Sequence, residues 1–160
     1  MSLMLFPRQA PVHGRDKIAR GPRPRCRAVR RFISLGRCRR LHLLERHPAL
    51  RIVLYHAGGA LPIILGRLDM GYRLAPECRN AIPRPPSTYA KQFHFDIIAH
   101  SRPMLSHLVK TFGADRFVIG TDYPLPAGLA HPVDEVKALN LSDDEERKIF
   151  SDNARRLLRI

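Results

Sequence analysis

The chain is 160 residues long, 44% hydrophobic and 26% charged, which excludes a disordered polymer and leaves room for one ordinary domain with a core. Its formal net charge of +14 would ordinarily point to nucleic acid or a membrane surface. Residues 1–43, however, hold eleven Arg and one Lys against the single acid Asp16, while residues 44–160 carry sixteen basic and thirteen acidic groups, so the body is nearly balanced.

Residues 1–40 show neither a helical nor a strand period, and RGPRPRCRAVRR is broken by proline. This stretch is expected to be an irregular basic arm ahead of a domain over 41–160. Only Phe6 and Phe32 interrupt it, so stacking platforms for bases are lacking and nucleic acid is not the expected partner. MSLMLFPRQAP is too short and too early broken by Pro7 for a secretory signal, and Ser is scarce for a transit peptide. No apolar run approaches the roughly 18 residues that span a bilayer, so no membrane partner is expected. Cys26, Cys38 and Cys78 are widely spaced without a CxxC pair, which argues against a disulfide framework or a cysteine zinc site and fits a cytoplasmic protein.

From residue 41 the text changes. LHLLERHP reads as the end of an amphipathic helix stopped by Pro48. RIVLY, residues 51–55, suits a buried strand, and HAGG follows as a tight turn. The next helix starts near Ala60, with Leu61, Ile64, Leu65 and Leu68 on one face and Pro62 in its first turn. Residues 76–88, with four prolines, read as a loop. A second strand is expected over Phe93–Ile97, a helix over Pro103–Phe112 ended by Gly113, and a third strand at Phe117, Val118 and Ile119. Helices Pro132–Leu139 and Asp143–Leu158 close the chain, the latter opened by a capping box of Ser142 and Glu145.

Strand and helix alternate three times, the grammar of a parallel sheet with crossover helices. The three strands are continuous apolar runs, as expected when both faces are covered. Such sheets place their chemistry at the carboxyl ends of strands, where His56, Asp96 and Asp122 fall. His56 between an apolar run and two glycines reads as functional. Asp96 can equally bond a loop amide, and Asp122 can equally form the turn before Pro124. Arg67 suits a carboxylate clamp, although spacing alone reads it as surface. His100 and His107 read as surface or packing residues. The chain contains no HxH, HExxH, phosphate-cradling glycine loop or GxSxG.

Three stretches in order, LRIVLYHAGGALPIILGRLDMGY, FHFDIIAHSRPMLSHLVKTFGADRFVIGTDYPLP and SDDEERKIFSDNARRLL, resemble the C-terminal part of an amidohydrolase-related, metal-dependent decarboxylase of the aminocarboxymuconate-semialdehyde decarboxylase group. The resemblance implies the last part of a (β/α)8 TIM barrel, its sixth to eighth strands with their helices. It further implies zinc as cofactor, Asp122 as a zinc ligand, His56 as general acid/base and Arg67 as a contact to a substrate carboxylate, made from the neighbouring subunit of a homodimer. The expected substrate is a small carboxylated ring or muconate-type compound that loses CO2; hydrolysis of an amide or lactone is the alternative on the same fold. The HxH pair and the fifth-strand His of the family have no counterpart here, so the chain is expected to be inactive alone. A non-catalytic remnant or a basic nucleic-acid binder are the readings of another class. The change of text near residue 41 is expected to mark a frame or start artefact joined to a true gene end, the alternative being a genuine basic extension. Three strands with their helices are expected to leave an open sheet edge and uncovered apolar faces, and the isolated chain poorly soluble or partly unfolded.

Overall fold

The computed structural model describes residues 41–160. The expected basic arm, with Cys26, Cys38, Phe6 and Phe32, lies outside the described residues. Residues 41–46 form a helical segment, α1, that buries Leu41 and Leu44 before the chain turns at Pro48. It is fastened by Glu45, which accepts hydrogen bonds from the Tyr89 hydroxyl at 2.6 Å and from Arg84 at 2.9 Å. These bonds hold the Glu45 carboxyl below its ordinary value, while burial pushes the Tyr89 phenol up.

The strands are β1, Val53–Leu54, β2, His94–Asp96, and β3, Phe117–Val118. They pair in parallel in that order, with Leu54 opposite Phe95 and Phe95 opposite Phe117. The crossovers are helical. Between β1 and β2 run α2, Leu61–Leu74, α3, Pro76–Ala81, and α4, Pro86–Ala90. Between β2 and β3 runs α5, Arg102–Phe112, ended by Gly113 at φ 89°. After β3 come α6, Pro132–Lys137, α7, Asp143–Arg147, and α8, Asn153–Leu158.

The stretch expected as a loop over 76–88 therefore holds α3 and the start of α4. Pro76 and Pro86 each sit in a first turn, where the missing N–H is one the helix would not have used. Proline clusters read as breaks, but here they are starts. The closing helix also departs from expectation, since a π turn over Lys148–Asp152 separates α7 from α8. Its wider winding leaves the Ile149 carbonyl to accept the Ile119 amide at 3.1 Å, which continues β3 onto the helix. The capping box at Ser142 and Glu145 is formed. Asn153, fully buried, donates to the carbonyls of Ala114 at 2.8 Å and Phe117 at 2.7 Å and ties α8 to the entrance of β3.

The core lies between one sheet face and the helices. Phe95 stands at its centre, 4.8 Å from the Phe112 ring and 5.4 Å from the Phe117 ring. Successive strand residues point to opposite faces, so Val53, Tyr55, His94 and Asp96 belong to the other face. There Val53 is 45% and Tyr55 53% exposed. The expectation that all three strands are covered on both faces fails at β1, where these two side chains are exposed, whereas His94 and Asp96 on the same face of β2 are buried.

Candidate active site

The site is built where β1, β2 and β3 end. Tyr55 is extended, and the chain then reverses through His56 at φ 54°, Ala57 at φ 50° and Gly58 at φ 83°. Left-handed backbone costs a residue with a Cβ about 1–2 kcal/mol, so two in succession need a compensating force. Asp96 supplies it. One carboxylate oxygen accepts the His56 amide at 2.8 Å, and the other accepts the amides of Ala57 at 2.8 Å and Ile98 at 2.9 Å. A buried carboxylate bound to three amides is well satisfied. Asp96 is thus the anchor that fixes the His56 turn, the plain loop-amide role made threefold. Gly58 is required twice over: its φ is left-handed, and a Cβ there would lie 2.9 Å from the Phe95 ring.

Asp122 follows β3 with a left-handed backbone of its own at φ 62°. Its carboxylate reaches within 4.0 Å of His56 Nε2, and the two side chains are 21% and 41% exposed. That separation exceeds a hydrogen bond, so both groups remain available to a third body. Gly120 stands against this cluster, where a Cβ would lie 3.4 Å from the Asp96 Cβ.

Beside His56 opens a cleft of ≈ 290 Å³. Its walls come from the loops after β1 and β2 and from the starts of α2 and α5, with Pro62, Ile63, Ile98, Met104 and Leu108 giving an apolar lining. Two imidazoles border it, His56 and His100. His100 was expected as a surface or packing residue; it is exposed, and it also borders the cleft. The available signal was positional: His100 lies four residues after Asp96, on the loop after β2, as His56 lies on the loop after β1. Near it, Arg102 at the start of α5 clasps Glu135 of α6 through two hydrogen bonds of 3.1 and 3.0 Å, and this holds the Glu135 carboxyl below its usual value.

Of the residues singled out from sequence, the fold brings His56, Asp96 and Asp122 together. Arg67 is exposed on α2 and does not border the cleft. His107 is exposed on α5. His94, two residues before Asp96, was not singled out. It is buried, its Nδ1 finds no partner, and burial together with the charges of Arg116 and Arg156 lowers its pKa to about 4. Among the described residues no group of three or more His, Cys, Asp or Glu is placed to hold a metal ion, and no helix is long and apolar enough to cross a membrane.

A parallel α/β layer with a carboxylate and an imidazole converging at the strand ends, beside an apolar cleft, has its polar groups where sheets of this kind hold ligands. Residues 40–160 match the amidohydrolase family, and the chain belongs to it. The chain is 29% identical over 114 residues to 2-amino-3-carboxymuconate-6-semialdehyde decarboxylase of Dictyostelium discoideum, covering 70% of this chain and 32% of that one. The crystal structure of 5-carboxyvanillate decarboxylase from Sphingomonas paucimobilis superposes with a TM-score of 0.64 at 25% identity, over 79% of this chain and 39% of that one. A dihydroxybenzoic acid decarboxylase from Polaromonas, solved with bound manganese and the inhibitor 2-nitroresorcinol, gives a TM-score of 0.58 at 27% identity, over 76% of this chain and 38% of that one. The chain spans about a third of the length of the curated relative it matches.

Proposed function

We propose that residues 41–160 are the C-terminal part, strands six to eight, of a (β/α)8 barrel decarboxylase, and that its substrate is a small carboxylated ring or muconate-type compound. The observation that carries this reading is the approach of His56 Nε2 to Asp122 at 4.0 Å, at the strand ends and beside a cleft with apolar walls. The decarboxylase relatives support it.

Decarboxylation exchanges a carboxylate for a proton on one carbon. The C–C bond breaks, its electron pair stays on that carbon, and CO2 departs. His56 is the group placed to hand over the proton, because its ring borders the cleft and Nε2 lies beyond hydrogen-bonding distance of Asp122. Asp96 keeps the imidazole in place by fixing its backbone turn. The apolar walls hold the ring and exclude water from the carbon that is to be protonated. Arg67, exposed on α2, is proposed to bind a substrate carboxylate held by an adjoining subunit of a homodimer.

One carboxylate and one imidazole do not make a catalytic metal site, which takes three or more protein ligands. The described residues therefore do not fit zinc or manganese by themselves, and no step is assigned to a metal. In a larger donor set Asp122 is the residue of this segment proposed as ligand.

The test is a chimera in which residues 41–160 replace the matching segment of the Sphingomonas decarboxylase. The expected result is CO2 release that falls about 10²–10⁴-fold in H56A, the usual range for a lost acid/base group, with metal content retained. Equal turnover in H56A, or loss of its metal, would overturn the role given to His56.

A further inference from the structure

We propose that His100 is a substrate-binding residue of the same cleft, one that recognises a ring oxygen substituent which the reaction leaves in place. The inference rests on the decarboxylase reading above.

His56 and His100 occupy matching places. Each lies on the loop that carries a parallel strand into the following helix, one after β1 and one after β2. Each has a left-handed backbone, at φ 54° and φ 50°, and both border the same cleft of ≈ 290 Å³. Of the six described non-glycine residues with positive φ, Asn140 and Arg159 follow helices, where such backbone is ordinary. The remaining four, His56, Ala57, His100 and Asp122, all lie after strands, around the candidate site. Histidine tolerates this conformation better than most side chains, which makes the backbone alone a weak signal. Combined with the cleft, it places a second imidazole where a ligand can meet it.

The chemistry of the walls then limits what His100 can do. Pro62, Ile63, Ile98, Met104 and Leu108 offer no polar group from their side chains, so polar recognition by side chains there falls to the two imidazoles. The cleft lies at the small end of ligand pockets, which run from about 300 to 1,000 Å³ and bury most of the ligand. One substituted ring suits it. If the carbon that loses CO2 faces His56, the departing carboxylate is at that end. What His100 meets is a substituent elsewhere on the ring, and an imidazole can donate to or accept from a hydroxyl. Such a contact discriminates between rings with and without the oxygen, because an apolar cleft cannot.

The experiment measures equilibrium binding of two probes, 2,6-dihydroxybenzoate and unsubstituted benzoate, to the full 160-residue chain and to H100L, H100Q and H56Q. The wild type should prefer the hydroxylated probe. H100L should weaken that probe about tenfold, as the loss of one hydrogen bond to a polar partner does, and should leave benzoate within twofold. H100Q, which can still donate and accept, should restore part of the preference. In the wild type the His100 ring resonances should move on adding 2,6-dihydroxybenzoate and hardly move with benzoate. Equal losses for both probes in H100L, an unchanged preference, or silent His100 resonances would overturn the proposal. An intact His100 effect with binding indifferent to H56Q would instead count against the decarboxylase reading. Failure of the wild type to bind either probe overturns the proposal.

Discussion

Asp96→Asn is the sharpest perturbation of this site. It preserves volume and removes a charge at a point where three backbone amides converge. The asparagine oxygen can take the place of Oδ1 and keep Ala57 and Ile98. Its amide nitrogen then stands where Oδ2 accepted the His56 amide, donor against donor. A charge-assisted hydrogen bond contributes about 1.5–3 kcal/mol, and an unsatisfied N–H adds about 1 kcal/mol or more. A rigid turn should therefore lose about 3 kcal/mol. If the turn yields, His56 and Ala57 leave the left-handed region and recover about 1–2 kcal/mol each. The net loss is then about 1 kcal/mol at most, but His56 moves away from Asp122. Urea unfolding gives the first quantity, and the amide shifts and hydrogen exchange of His56, Ala57 and Ile98 give the second. Stability and geometry should trade against each other: a large loss with His56 in place, or a small loss with His56 displaced. A change below about 0.5 kcal/mol with unmoved amide resonances would refute the claim that Asp96 holds this turn.

Gly58→Ala should cost about 2–4 kcal/mol, because its φ is 83° and the new Cβ would lie 2.9 Å from Phe95; thermal unfolding that stays within 2 °C of the wild type would contradict this. Asn153→Ala leaves the carbonyls of Ala114 and Phe117 without their buried donor and should destabilise by about 3 kcal/mol, read from the urea midpoint. The pKa of His94 is lowered to about 4, so as pH falls below about 6.5 the unfolded chain takes the proton first. Stability is then fully present above about pH 6.5 and falls by about 2–3 kcal/mol toward pH 4. His94→Leu should flatten the slope between pH 6.5 and 4.5, and an unchanged slope would exonerate His94. A chelator should not alter the melting temperature of the 160-residue chain, whose described residues assemble no three-ligand cluster, whereas stoichiometric tightly bound metal would show that the donor set is larger.

The parallel α/β order was legible because the strands fall in largely apolar runs and each following helix opens with a proline in its first turn. The convergence of His56, Asp96 and Asp122 followed from one rule, that such sheets gather polar groups at the carboxyl ends of their strands. The helices of 76–90 were hidden because proline marks both the end and the first turn of a helix, and only the geometry of Pro76 and Pro86 decides between them. The π turn was hidden because it answers a distant need, the unpaired amide of Ile119. His100 escaped because HSRP has no signature of its own. Its significance arises from a cleft made jointly with residues more than thirty positions away.

Under the barrel reading, the exposed face of β1 and the small donor set among the described residues have one physical origin. The helices bury Phe95, Phe117 and Leu54 on their own side, and that packing holds residues 41–160 together. The opposite face presents Val53 and Tyr55 to solvent, and on that same face Asp96 and His94 alternate with them in register. The loops that follow β1 and β3 lift His56 and Asp122 over the rim of this face, where Tyr123 is 88% exposed beside the carboxylate. Any structure that covered Val53 and Tyr55 would bring its own strand ends to that rim. Under the barrel reading, the missing ligands and the missing apolar cover belong to the same strands. A chimera that gains stability from the added strands should therefore gain metal affinity in the same step, and one that gains stability without metal would separate the fold from the chemistry assigned to Asp122.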